Sequence, residues 1–525
     1  MQNSLRPVSP AAVKAMLGDG AELALIDLRE ELTYSQNHLL WARSVPLSRL
    51  ELRFARLVPR RATRIVLCDA DDGLCQRAGD ILTGAGYSNL SCLEGGIAAW
   101  EQAGFVLFSG MHVPSKAFGE FIEHEHGTPS VSAGELDAMM RSGADIRVLD
   151  SRPFDEYSRI SIPTGINVPG AELVLRVRDI VPSPATTIVV NCAGRTRSII
   201  GAQSLINAGV PNKVVALRNG TMGWHLAGLT CDSGKAMRAP RVSASGLAWA
   251  KSAAANVTGK FGIETIDRAT LERWRGDADR TLYVFDVRDP AEYEAGHLPG
   301  AQSAPGGQLV QATDTFAVTL GARIVLSDDN LVRAVMTASW LKQMGWKDVY
   351  VLPEAGDETG RPADVALAGA PQDAAIDAAQ LAARLDQGGT TVIDVSLSAA
   401  YRKGHIPGAW FGIRSRLDRA LAKIAPQGEL VITSEDGVLA GLAAADACAL
   451  TKAPVRWLKG GNTAWAKAGY QYSTETRMAD DPLDVWLKPY ERPNDNGAAM
   501  QAYLSWEVDL LDRIKRDGTT HFSAR

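Results

Sequence analysis

A chain of 525 residues is longer than one ordinary hydrophobic core spans, and its length suggests about three to four domains. With 46% hydrophobic residues, 22% charged residues and a net charge of −5, it has no basic surplus to suggest a nucleic-acid or membrane-surface role. The stretch MQNSLRPVSPAAVKAML lacks the charged-then-apolar order of a secretory signal, and no apolar run is long enough to cross a bilayer, so the cytoplasm is the expected compartment. The six cysteines (Cys68, Cys75, Cys92, Cys192, Cys231 and Cys448) are few and irregularly spaced, which suggests neither a disulfide framework nor a zinc knuckle.

In chain order, one pattern recurs four times. A short apolar strand ends in an aspartate at Asp27, Asp150, Asp286 and Asp394. A turn follows, clearest as GHLPGA at 296–301 and GHIPGA at 404–409. A second apolar strand then runs into RIVLC, TIVVNC, RIVLS or ELVITS, which the sequence aligns at Cys68, Cys192, Ser327 and Ser434. An alanine-rich helical stretch and a third strand complete the unit, closed by a glycine-tryptophan signature at Trp100, Trp224 and Trp465 that the third copy replaces with PEAG. Strands alternating with helices predict an α/β unit with a mainly parallel sheet, and each repeat is long enough to bury its own core. VTGKFG at 257–262 and EAGDETGRPAD at 354–364 read as joins between units. The segment after Gly469 predicts a helix in AAMQAYLSWEVDLLDRIKRDG that packs back on a domain or across a homodimer; the sequence leaves both open.

The loop CAGRTRS carries the chemistry. Ligands of a parallel α/β sheet gather at the carboxyl ends of its strands, where Cys192 is placed. The turn from Cys192 into the next helix aims backbone N–H groups and the positive helix end at its own centre. Gly194 permits tight curvature, Arg195 and Arg197 add positive charge, and Thr196 and Ser198 offer hydroxyls. Such a field favours the thiolate, which is the nucleophile.

Together, D-x-R, EY, G-H-I-P-G-A, strand–Cys–loop–helix and G-G-x-x-x-W resemble the rhodanese family across four tandem copies. The resemblance implies rhodanese-like domains at 5–108, 128–232, 262–356 and 372–472, each a mainly parallel sheet flanked by helices, with a C-terminal helical tail at 473–525. It implies a sulfurtransferase in which Cys192 takes sulfane sulfur from thiosulfate or a related small anionic donor. A thiophilic acceptor then removes it: cyanide, a thiol or a protein sulfur acceptor. Ala193 to Ser198 would bind the donor, with Arg152 and Arg176 as further candidates, and no cofactor or metal is called for. Four residues separate Cys192 from Arg197, the short loop of sulfur-transferring members, whereas related phosphatases carry one more. A persulfide carrier or redox-sensing scaffold is the alternative, followed by a cysteine-dependent phosphatase or arsenate reductase.

The other copies read as inactive. Cys68 is followed by Asp69, Asp71 and Asp72 in a loop counted one residue longer, and these carboxylates would repel an anionic donor. The third and fourth copies have Ser327 and Ser434 at the position read as the cysteine's, and no arginine at the place of Arg197. The D-x-R pairs recur in altered copies, which favours a structural role for Arg152. Arg176 and Arg178 would share one face if their segment is extended. FIEHEHGTP at 121–129 reads as solvated, and Cys75, Cys92, Cys231 and Cys448 as packing residues.

Overall fold

The strands Ile65–Cys68, Thr187–Asn191, Arg323–Ser327 and Glu429–Thr433 are nearly continuous apolar runs because each lies inside a parallel sheet covered on both faces. A computed structural model describes residues 5–361, 369–492 and 496–524. It contains four such sheets, one per repeat, flanked by helices. In the second copy the order is Ser130–Val131, Val214–Leu217, Thr187–Asn191, Ile146–Asp150, Ile166–Asn167, all parallel. The first sheet gains an antiparallel strand from the third copy, Thr319–Leu320 against Leu23–Ala24, and the fourth gains Arg477–Met478 from the tail. No helix among the described residues is long and apolar enough to cross a membrane.

Strand register corrects the sequence alignment at two loops. Asp150 pairs with Asn191, and the corresponding partners are Asp27 with Cys68, Asp286 with Ser327, and Asp394 with Thr433. Cys68 and Ser327 therefore correspond to Asn191, the last strand residue, not to Cys192. The residues at the Cys192 position are Asp69, Asp328 and Ser434. A second contact agrees: the carbonyls of Cys192, Asp69 and Ser434 accept from Thr221, Ile97 and Asn462 at the start of the next helix. In this register the N–H donor six residues on matches in the first, third and fourth copies, Cys75, Ala334 and Ala440, although the first copy's helix begins one residue later than the others. Arg333 then stands in the third copy where the second has Arg197.

The second and third copies pack face to face around one continuous core that includes Leu173, Val177, Ile199, Leu205, Phe285, Leu309 and Trp340. Trp340 Nε1 donates to Ser204 Oγ across the junction at 2.9 Å. The contact is reciprocal: Arg197 bonds Glu156 in its own copy and Gln308 opposite, while Arg333 bonds Glu292 in its own copy and Glu172 opposite. VTGKFG does lie between the second and third copies, but as the end of an 18-residue helix, Ala244–Phe261, whose Ala250, Ala253 and Val257 are buried in that shared core. The join expected at 354–364 lies partly outside the described residues.

The first and fourth copies meet through equivalent segments. Arg414 spans Glu51 at 2.8 Å and Asp446 at 2.7 Å, and Ser415 Oγ donates to Glu30 at 2.8 Å. Glu30 is buried, and Ser48 Oγ is its second hydroxyl donor. Burial pushes its carboxyl up to about 7 despite both hydroxyls. A carboxyl raised on folding stabilises fully below its ordinary value of 4.5, and that stability is lost as pH rises through about 7. The expected outcome is a loss of about 3 kcal/mol across that window in wild type, flattened in Glu30→Gln, as read by urea unfolding at stepped pH.

Candidate active site

Cys192 follows strand Thr187–Asn191 directly, and three turn residues lead into helix Thr196–Asn207. The altered copies reveal what the turn is shaped to hold. Asp69 accepts from the N–H of Asp71 and Cys75, each at 2.9 Å. Asp328 accepts from Arg333 at 2.8 Å and Ala334 at 3.2 Å. Ser434 Oγ accepts from Gly437 at 3.1 Å and Ala440 at 3.2 Å. The corresponding N–H groups of the second copy belong to Gly194, Arg195, Arg197 and Ser198, and the side chain they surround is Cys192. The same cradle thus holds a carboxylate or hydroxyl in three copies and a thiol in one.

The floor of the loop is fixed by the next helix, Gly220–Leu226. Thr221 and Met222 donate their N–H groups to the carbonyls of Cys192 and Ala193. Gly220 has φ +53°, and a Cβ there would lie 2.3 Å from the Cys192 carbonyl oxygen. Asn191 ties the strand end to the D-x-R element by donating to Asp150 at 2.9 Å and to Thr221 at 3.1 Å.

Cys192, Ala193, Gly194 and Arg197 line a cavity of about 700 Å³. Its other walls come from elsewhere in the chain. The connecting helix Val113–His126 gives Lys116, the third copy gives Gln308 and Gln311, and the tail gives Lys488, Tyr490 and Tyr503. Glu156, from the EY element, bonds Arg197 at 2.7 Å and Lys488 at 3.1 Å. Burial alone would raise Glu156, but the two cations outweigh it and hold the carboxyl below its ordinary value. Burial would likewise lower Arg197, and Glu156 more than offsets it. Lys116 is kept charged in the same way by Glu507, 2.9 Å away on the tail helix Asn496–Asp517. Three cations and one carboxylate therefore face the cavity beside Cys192, an environment suited to a small anion.

Several sequence candidates lie elsewhere. Arg195 is turned away and buried against the connecting helix, bidentate to Glu120 at 2.7 Å and bonded to Glu123. A guanidinium at a buried loop must be paired, and Glu120, with Glu123 from the stretch read as solvated, does the pairing. Arg152 is 1% exposed, bonded to Asp150 at 2.7 Å and to the Ile160 carbonyl, and does not line the cavity. The Arg176 segment is a helix, Leu173–Ile180, not an extended strand; Arg176 bonds Glu172 and the Pro240 carbonyl, outside the cavity. Thr196 Oγ1 donates to Glu507 of the tail helix at 3.4 Å and Ser198 Oγ to the Arg195 carbonyl, so one hydroxyl serves the tail contact and the other the loop itself. Lys116, Glu156, Gln308, Lys488, Tyr490 and Tyr503 were missed by the sequence reading. Only Glu156 carried a signal there, through the repeated EY.

A family model described as "Rhodanese-like domain" matches residues 9–103, 132–227, 267–355 and 377–468. The crystal structure of a thiosulfate sulfurtransferase from Pseudomonas aeruginosa is similar over 99% of both chains, with 46% identity and a TM-score of 0.96. A putative sulfur carrier protein of Bacillus subtilis, YrkF, is 30% identical over 100 residues, 18% of this chain and 53% of its own length. Uncharacterized protein YqhL of the same organism is 33% identical over 73 residues, 14% of this chain and 56% of its own. The chain spans about half the length of the curated relatives it matches.

The site predicts its own sensitivity at Gly220. Gly220→Ala must either distort the left-handed turn, at about 1–2 kcal/mol, or push the Cys192 loop outward. The expected results are a lower thermal midpoint and an altered rate of Cys192 alkylation by iodoacetamide.

Proposed function

The chain belongs to the rhodanese family and is a rhodanese-like sulfurtransferase; from that premise we propose that it moves sulfane sulfur from thiosulfate to a small thiophilic acceptor through Cys192. The observation that carries this reading is the cradle. Where three copies fill the ring of N–H donors with a side-chain oxygen, the second presents a thiol beside Arg197, Lys116 and Lys488. The Cys192 thiolate attacks the outer sulfur of thiosulfate, forms the cysteine persulfide and releases sulfite. Cyanide then takes the terminal sulfur as thiocyanate and returns the thiolate. Loop N–H groups would stabilise the persulfide anion, and the three cations would hold the sulfonate end of the donor. The first, third and fourth copies lack a cysteine at this position and are read as silent. The cytoplasm remains the proposed compartment.

Thiocyanate release from thiosulfate and cyanide is the test. Cys192→Ser is expected to show none, and wild type incubated with thiosulfate alone should gain one sulfur in mass on Cys192. Arg197→Met should lower kcat/KM for thiosulfate about 10²-fold, because it removes a charged donor and frees Glu156 to repel the anion. Cys68→Ser should retain full activity, since Cys68 ends a strand instead of standing in a cradle. Wild type with neither turnover nor mass gain would overturn the reading.

A further inference from the structure

The first copy assembles a different chemistry at the same end of its sheet. Asp69 stands at the Cys192 position, and Cys75, six residues on, stands at that of Ser198. Cys92 pairs with Leu67 on the neighbouring strand, as Ala216 pairs with Val190. The third copy has Asp328, Ala334 and Val351 at these three places, and the fourth has Ser434, Ala440 and Trp457. The first copy alone puts two sulfurs there.

The three side chains converge from a loop, a helix start and a strand. One oxygen of Asp69 and the sulfurs of Cys75 and Cys92 all lie within 4.8 Å of one another. Cys92 Sγ donates to the Leu93 carbonyl at 3.6 Å. Asp69 is 3% exposed and Cys75 4%, and Cys92 is half-buried. The N–H groups of Asp71 and Cys75 already orient the Asp69 carboxylate, which is how a ligating carboxylate is supported from behind. The loop carries Asp69, Asp71 and Asp72 without a basic residue between Asp69 and Cys75, so its field attracts cations and repels anions.

We propose that Asp69, Cys75 and Cys92 form a binding site for a thiophilic divalent d10 cation of the zinc class. Two sulfurs and one carboxylate oxygen make three of the four ligands that such an ion takes, leaving one position for water. Sulfurs that share a zinc ion at about 2.3 Å each stand roughly 3.8 Å apart, a spacing that falls inside the 4.8 Å bounding the three ligand atoms here. Binding forms two metal–sulfur bonds and one metal–oxygen bond, and it releases the two thiol protons to solvent without oxidation or reduction. The rigid cradle that holds sulfur in one copy would hold a cation in another, because an acidic side chain replaces the thiol at its centre.

Titration of the full chain with Cd²⁺ tests this through the ultraviolet sulfur-to-cadmium charge-transfer band. One saturable equivalent is expected, with the band unchanged in Cys192→Ser and reduced by at least half in both Cys75→Ser and Cys92→Ser. Asp69→Asn should keep the band and weaken Cd²⁺ binding about tenfold or more. Undiminished thiosulfate turnover and native far-ultraviolet circular dichroism in these variants show that the loss is local; where Cys75→Ser fails this check, Cys92→Ala, on the half-buried strand position, decides. A band lost in Cys192→Ser, a full band in both thiol variants, or no stoichiometric binding overturns the proposal. So does a purified protein two hydrogens lighter, which would make the pair a disulfide.

Discussion

A ring of backbone N–H groups at the carboxyl end of a buried strand demands an acceptor, and all four repeats are organised around that demand. Donors held this tightly cannot turn to solvent, so leaving them unpaired would cost about 1–3 kcal/mol each. Asp69, Asp328 and Ser434 meet the demand from within the chain. Cys192 stands at the same position with a thiol, the one group among the four that can take on a further atom there. Altered copies of this kind are therefore stable folds in their own right, not damaged enzymes: they have closed the cradle on themselves.

That closure frees them to build walls. Arg197 and Arg333 sit at equivalent places and each crosses to the opposite copy, yet the groups around them differ in charge. Arg333 finds Asp328 inside its own cradle, with Glu172 and Glu292 beside it, and is fully consumed. Arg197 has a thiol at the corresponding position and a neutral Gln308 opposite, so Glu156, shared with Lys488, is its one carboxylate partner among the described residues. The second copy's guanidinium thus keeps positive character toward the cavity because the third copy offers an amide where the second offers Glu172. The asymmetry between the two copies arises at the junction as much as in the loop.

Much of this was legible in the sequence. Four strand–loop–helix units, the position of Cys192 and the curvature of CAGRTR follow from periodicity and turn chemistry, and the rhodanese resemblance follows from their order. Register by one residue was not. RIVLC and RIVLS end on residues that look like the nucleophile and its remnant, and only the pairing of Asp27 with Cys68 and Asp286 with Ser327 shows them to be strand ends. Nor could sequence distinguish the two loop arginines. Arg195 is paired by Glu120 from a connecting helix, while Arg197 points to the cavity, and both depend on elements far away in the chain. Lys116 and Lys488 had no motif, since a cavity wall needs only a cation at the right place.

The position of those two lysines bears on what the cavity admits. Each is anchored to a carboxylate, Lys116 to Glu507 and Lys488 to Glu156, so neither swings freely to follow a bulky ligand. Glu507 is fully buried beneath the loop, with Thr196 and Gly194 as neighbours. The tail therefore presses on the sulfur-bearing turn from behind while its earlier residues roof it in front. A cysteine enclosed on both sides, with fixed charges at set distances, suits a compact dianion and a compact nucleophile. A large acceptor would need the tail to lift, and lifting it would break the Lys116–Glu507 pair and expose the apolar contacts of Met222 with Met500 and Leu504. Enclosure and loop geometry are thus one device, because the helix that closes the cavity also supports its cradle.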